Sequence, residues 1–457
     1  MGDASGVVIS PEEEKRLGEA FMREVRRSLK VVDDPELESY IQALGTALVS
    51  HADSDIPEFT FFLVQNSAIN AFAAPGGYIG VHTGLILATQ NESELASVLA
   101  HEISHITQRH LPRSLDEANK LSLPATAALL AAIILGRNSA AVGEAALATT
   151  LAGHAQAQIN FTRSHEEEAD RIGIQLLSQS GFDPRGMPGF FERLQQSYRF
   201  YDNNLPEFLS THPVTVSRIA DSRNRAEQFD SPKPNPYSSY AFMRAKIRVT
   251  TQASAQENLT YFKSEMAKTN GEERLVASYG YTLALMNAGR LDEAKAMLQP
   301  LLKQEPDRIS LILANATIEH LKKNYGGATK ILADGLALYP GDHAITMLMA
   351  EALINNTEPE SARHLLQEHL RKRGAQPSIY KLFARAANDA GRDGESHYAL
   401  AEYYYLSGET STAVQQLKLA AASTPKDDFY LSSRIDARLK QLKEELAALD
   451  PTKKQRE

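Results

Sequence analysis

Cysteine is absent from all 457 residues, which excludes a disulfide framework, a cysteine zinc finger, a thiolate cluster and a cysteine nucleophile. The absence leaves the redox compartment open, because such a chain tolerates an oxidising space without using it. Long apolar runs are also lacking. Residues 121–152 form the least polar stretch, yet their apolar core, Pro124 to Leu135, is too short to span a bilayer. Arg137, Asn138 and Glu144 break up the remainder of that stretch. No apolar leader succeeds Met1, since the chain runs directly into the charged pattern Pro11-Glu12-Glu13-Glu14-Lys15-Arg16. Basic charge is scarce: residues 51–100 hold no Lys or Arg, and the net charge of −9 argues against a nucleic-acid partner.

What is present is the composition of an ordinary globular protein, 43% hydrophobic and 23% charged, long enough for two to four domains. The charge is uneven. Residues 1–236 carry 19 Lys and Arg against 30 Asp and Glu, whereas the remainder carries 29 against 27. The change falls at Ser231-Pro232-Lys233-Pro234-Asn235-Pro236, a proline-rich linker that sets a domain boundary between 1–236 and 237–457. In the first part, residues 11–50 read as two amphipathic helices, Phe59–Val64 as a β-rich run, and Tyr78–His82 as a short strand entered through Gly76-Gly77. From Glu92 the period changes, with Leu95, Val98, Leu99, Ile103 and Ile106 at helical spacing. A small sheet beside long helices is expected. Residues 121–152 read as a buried helix or helical hairpin, with a movable cover or a peripheral membrane contact as the other readings.

Beyond the linker the sequence repeats. Ala294, Leu298 and Pro306 recur as Ala328, Leu332 and Pro340, Ala362 and Leu366 continue the series, and Gly408, Ala413 and Pro425 reproduce the offsets of Gly289, Ala294 and Pro306. The pattern resembles the tetratricopeptide repeat, in which a small residue sits where two helices cross and a proline stops the second helix. Gly335, His369 and Gly374 depart from it. A stacked all-α solenoid is the expected result, because one helix pair cannot bury its own apolar face.

Chemistry is carried by His101-Glu102-Ile103-Ser104-His105. Two His four residues apart project from one face of a helix, so both imidazoles reach one metal ion. The intervening Glu102 lies where a water bound to Zn²⁺ would give up its proton as it attacks a carbonyl. A third ligand is required. Glu166, in Ser164-His165-Glu166-Glu167-Glu168-Ala169-Asp170, is the strongest candidate, and Asp170 one turn later is placed to hydrogen-bond a ligand ring N–H. His165 competes for the same role from a different helix face. His82 reads as a packed or surface residue, and His110 and His154 lack any partner spacing. Tyr78-Ile79-Gly80-Val81 is either an edge strand to which an extended substrate adds or an interior strand.

The His101–His105 motif followed by Glu166–Asp170 resembles the M48 family of zinc metallopeptidases, together with Asn70-Ala71-Phe72-Ala73 and Thr211-His212-Pro213. The resemblance covers about residues 10–230. With the repeats it is most similar to the periplasmic branch that attends the assembly of outer-membrane β-barrel proteins. It implies a mostly α, α+β chain: a zincin-like peptidase domain with a small β-sheet, then the solenoid. It implies one Zn²⁺ per chain on His101, His105 and Glu166, with Glu102 as general base and Asp170 orienting the ligands. It implies unfolded or misassembled protein clients, the outer-membrane assembly machinery as partner through the repeats, and a periplasmic location whose export signal precedes this sequence; a cytoplasmic quality-control peptidase is the alternative. A chaperone or adaptor with a silenced site is the rival function.

His212 precedes a proline and so lies in extended backbone on a loop. Three fates are open: a surface residue, a hydrogen-bond donor to the developing oxyanion, or a fourth ligand that shuts the resting enzyme. The third is favoured, because a silent peptidase is safe among folding clients.

Overall fold

The computed structural model describes residues 10–54, 56, 58–110, 126–128, 130–131, 163–198, 207–230, 232, 238–251 and 254–449. His154 and most of 121–152 lie outside these residues. The chain divides into two compact units, Met1–Val32 with Leu37–Ile247, and Asp33–Glu36 with Arg248–Glu457. The first unit therefore extends past the proline-rich segment into the helix Tyr240–Thr251. Phe242 and Met243 are buried there, and the Tyr240 hydroxyl donates to the Thr89 carbonyl at 2.8 Å.

The first unit opens with α1 (Pro11–Ser28), whose N-terminus is closed by a capping box. The Ser10 hydroxyl accepts from the Glu13 N–H at 3.3 Å, and the Glu13 carboxylate accepts from the Ser10 N–H at 3.0 Å. After α2 (Pro35–Val49) come three short strands, β1 (Thr60–Val64), β2 (Ala71–Ala74) and β3 (Tyr78–His82). Their order is β1-β3-β2, with β1 parallel and β2 antiparallel to β3. Tyr78–His82 is thus the central strand. Its backbone is paired on both sides, so the edge-strand reading of Tyr78–Val81 gives way to the interior one. The outer side of β1 is partly occupied by a bridge between Val31 and Val64. The link from β2 to β3 turns through Gly76 and Gly77, with φ of 72° and 81°, where a side chain at Gly77 would meet the Glu58 carbonyl oxygen.

After the sheet, α3 (Thr83–Ala88) leads to α4 (Glu92–Thr107), started by the Asn91 side chain accepting from the Glu94 N–H at 3.0 Å. Every residue of α4 from Glu94 to Ile106 is buried. A helix covered on all sides explains why its apolar stripe is broad and why polar groups on it must find partners. Against it pack α5 (Arg163–Gln179) and α6 (Gly186–Tyr198); α7 (Glu207–Thr211) and α8 (Val216–Ala226) follow, ahead of the helix Tyr240–Thr251. Gly173 lets α5 approach closely, since a Cβ there would stand 3.3 Å from the His101 backbone nitrogen. Of the described residues in the apolar stretch, Ala127, Leu130 and Ala131 are buried in one cluster with Leu17, Phe21, Phe62 and Phe72. No helix among the described residues is long and apolar enough to cross a membrane.

The second unit is a succession of helices from Ala255 to Leu449, each packed on the next. Ala294, Leu298, Ala328, Leu332, Ala362, Leu366, Ala413 and Leu417 are all fully buried, as the crossing of paired helices requires. The departures have local causes. Gly335 makes room for Ile312 and Ile345, whose side chains would lie 3.2 and 3.4 Å from a Cβ. His369 is buried against His343, the two rings stacked with Nδ1 of His343 2.8 Å from Nε2 of His369. Gly374 ends the helix Pro359–Arg373 through a left-handed φ of 84°, the job done by Pro306 and Pro340 through a missing N–H.

Candidate metal centre

Helix α4 presents His101 and His105 one turn apart, and their Nε2 atoms stand 3.0 Å from each other. Helix α5 brings Glu166 opposite them, with Oε1 3.3 Å from His105 Nε2 and Oε2 3.5 Å from His101 Nε2. The loop after α7 adds His212, whose Nδ1 lies 3.3 Å from His101 Nε2 and 3.0 Å from Glu166 Oε1. One ligand atom from each of these four buried residues lies within 4.8 Å of all the others, so together they can hold a metal ion. Bonds of 2.0–2.3 Å to a tetrahedral zinc ion set ligand atoms roughly 3.3–3.8 Å apart, close to the spacings here. Glu102 is buried beside the group, with Oε1 3.5 Å from His212 Nε2.

Outside this group stands Asp170, with Oδ1 3.0 Å from His101 Nδ1. Arg218 on α8 grips the same carboxylate with two hydrogen bonds, Nε and Nη2 at 2.7 and 2.8 Å. Its Nη1 reaches Glu166 Oε2 at 2.8 Å and donates to the Pro213 carbonyl at 2.8 Å, beside His212. One guanidinium thus ties Glu166 and Asp170 of α5 to the His212 loop. His212 is further seated by its N–H on the Phe208 carbonyl at 2.7 Å and by stacking on the Phe208 ring.

Electrostatics single out the imidazoles as the place for a cation. Burial raises the carboxyl of Glu166, but His212, His101 and His105 around it hold it well below the usual range. Burial also raises Asp170, and His101 and Arg218 overcome it. Two ionised carboxylates therefore face one guanidinium, with a third carboxyl, Glu102, pushed up by burial. The balance is completed by positive charge among the rings. Burial disfavours a proton on His101, yet Asp170 and Glu166 hold its pKa up at about 10. His105 is driven well down by burial and is neutral, the form that ligates metals.

Of the residues expected from sequence, His101, Glu102, His105, Glu166, Asp170 and His212 converge here, all buried. His165 is on α5 but stacks on the His110 ring rather than entering the group. His82 packs edge-on against Phe72, with burial lowering it to about 4. Two contributors escape sequence reading. Arg218 has no local signature, since its partners are 48 and 52 residues away. His110, which has no partner at a ligand spacing, lies back against His105 after a turn past the end of α4 in which Arg109 has a φ of 54°.

Comparison with known proteins agrees with this arrangement. The profile of peptidase family M48 matches residues 35–226, and a tetratricopeptide repeat profile matches residues 320–386. The β-barrel assembly-enhancing protease of Yersinia pestis is 38% identical over 446 residues, 97% of this chain and 91% of its own length. The protein of that name in Escherichia coli (strain K12) is 37% identical over 447 residues with the same coverage. A mitochondrial metalloendopeptidase of Danio rerio is 30% identical over 210 residues, 44% of this chain and 43% of its own. With a catalytic-type group of side chains inside the matched region and identity running almost the whole length, the chain belongs to peptidase family M48 and is a metalloendopeptidase with C-terminal tetratricopeptide repeats.

Proposed function

We propose that the first unit is a zinc endopeptidase site of protein quality control, with one Zn²⁺ per chain held by His101, His105 and Glu166. The observation that carries this reading is the convergence of buried ligand atoms within 4.8 Å. Zinc held there supplies a Lewis acid that polarises the scissile carbonyl. Glu102, raised by burial, is the general base that takes a proton from the attacking water and passes it to the leaving amine. Asp170 orients the His101 ring, and Arg218 holds Asp170 and Glu166 in place. With β3 interior and the outer side of β1 partly bridged, β2 is, among the described residues, the edge that suits pairing with an extended client, and α4 packs beside it.

His212 occupies the fourth corner, at distances from His101 and Glu166 like those among the ligands themselves. That spacing favours its role as a fourth ligand in the resting enzyme, and it accommodates a chaperone-like state in which both units bind clients while the site is shut. By likeness to the β-barrel assembly-enhancing proteases, the clients are misassembled outer-membrane β-barrel proteins in the periplasm, and the repeats bind clients or the assembly machinery.

Metal analysis combined with casein cleavage tests the chemistry. The unaltered chain carries close to one zinc, removable by a chelator. His101→Ala and His105→Ala lose the metal, while Glu102→Gln keeps it and loses cleavage. Activity surviving in Glu102→Gln sinks the assigned mechanism, and zinc content unchanged in Glu166→Ala moves the third ligand elsewhere.

A further inference from the structure

We infer that His110 is a positioning residue that, with Glu168, sets the proton arrangement and direction of the His105 ring. The inference rests on the reading of His105 as a metal ligand. His105 uses Nε2 toward Glu166 and His101, so its remaining ring nitrogen, Nδ1, needs a partner of its own. That partner is His110, with Nδ1 2.9 Å from His105 Nδ1. Nε2 of His110 lies 3.3 Å from Glu168 Oε2. His110 is fully buried and stacks at 4.3 Å between centroids on His165, which fixes its plane.

The chain of hydrogen bonds has a single direction. A carboxylate only accepts, so Nε2 of His110 is the nitrogen that donates to Glu168, and a ring carrying its single proton there offers Nδ1 as an acceptor. The His105 proton then goes to Nδ1 to meet it. His105 Nε2 is left with its lone pair facing Glu166 and His101. His101 receives the same instruction directly from Asp170, and Glu166 is held by Arg218. Each of the three residues therefore has its own outer partner. Glu166, Glu168 and Asp170 all sit on α5, so three of the four acidic residues of that helix divide into one inner group and two orienting groups, and Glu167 is exposed.

The experiment is zinc affinity of the full chain, measured by competition with a chromophoric chelator, alongside the melting temperature of the metal-free protein. His110→Phe keeps the stacked ring but removes the acceptor. It is expected to weaken zinc binding by ~10–100-fold, the usual effect of losing an outer partner, while the metal-free protein still folds with a melting temperature lowered by the unpaired N–H of His105. His110→Asn, which restores an acceptor near the Nδ1 position, recovers most of that loss. Glu168→Leu, at a half-exposed position that tolerates substitution, reproduces a part of it. Affinity within twofold of the unaltered chain in both His110→Phe and Glu168→Leu overturns the inference. Should His110→Phe fail to fold, the decision passes to His110→Asn and Glu168→Leu: weaker binding in Glu168→Leu with near-normal binding in His110→Asn supports it, and unchanged binding in Glu168→Leu overturns it. An unaltered chain that binds no zinc overturns the metal reading itself, a result distinct from binding that ignores His110.

Discussion

Glu166 shows how much a single side chain is asked to do. One oxygen faces His105 and His212 at 3.3 and 3.0 Å, and the other faces Arg218 at 2.8 Å. Because the neighbouring charges outweigh burial, this buried carboxylate stays ionised, a condition an anionic ligand must meet. His212 enters from the loop after α7, whereas His101, His105 and Glu166 are fixed within helices α4 and α5, so it is the member of the group whose backbone can move at least cost. His212→Ala is therefore expected to keep its zinc and to cleave casein several-fold faster than the unaltered chain. A loss of cleavage assigns His212 to the developing oxyanion instead, and an unchanged rate removes it from the mechanism.

At the scale of elements, the site depends on close approaches that only small residues permit. Helix α5 lies against α4 because Gly173 leaves no side chain over the backbone at His101. The β2–β3 link is tighter still. Gly77 combines a φ of 81° with a path on which a Cβ would come within 2.4 Å of the Glu58 carbonyl oxygen, and backbone cannot yield as a flexible side chain can. Gly77→Ala is expected to cost at least ~2 kcal/mol, from the left-handed conformation and the clash together. Chemical denaturation checks it. A loss below ~0.5 kcal/mol would show that the turn relaxes into another path.

Across the whole molecule, three packed histidines share one sign. Burial lowers His82 in the first unit, and His343 and His369 in the second, to about 4. Each is depressed below the unfolded value near ~6.5, so the unfolded chain takes up protons first as pH falls. Their contribution is complete above ~6.5 and is lost between there and about 4. His101 has the opposite sign, with a pKa held up at about 10, but its contribution is fully present below ~6.5 and offsets nothing in that window. The melting temperature is therefore expected to fall by several degrees between pH 7 and 5. Replacing both His343 and His369 with Gln should flatten the part that belongs to the second unit. An equal slope in that variant would place the proton uptake elsewhere.

Residue order alone was enough for the parts of this protein that are local. Helical spacing put His101, Glu102 and His105 on one helix, a turn-length offset paired Glu166 with Asp170, and a 34-residue recurrence placed Ala294, Ala328 and Ala362 at helix crossings, where all three are buried. Within a helix or a repeat, geometry follows from position. Whatever depends on residues far apart in the chain waited for the folded molecule. Strand order put Tyr78–His82 in the middle of the sheet, because pairing is decided by which strands meet and not by the composition of one. Arg218 joined Glu166 and Asp170 across 52 and 48 residues, and His343 supplied the partner that explains His369. His110 is only five residues from His105, yet it touches that ring across a turn with a left-handed residue, Arg109, that no sequence pattern announces. A side chain's type states what it can bond to; only packing states what it does bond to, since a buried polar group takes the partner the fold delivers.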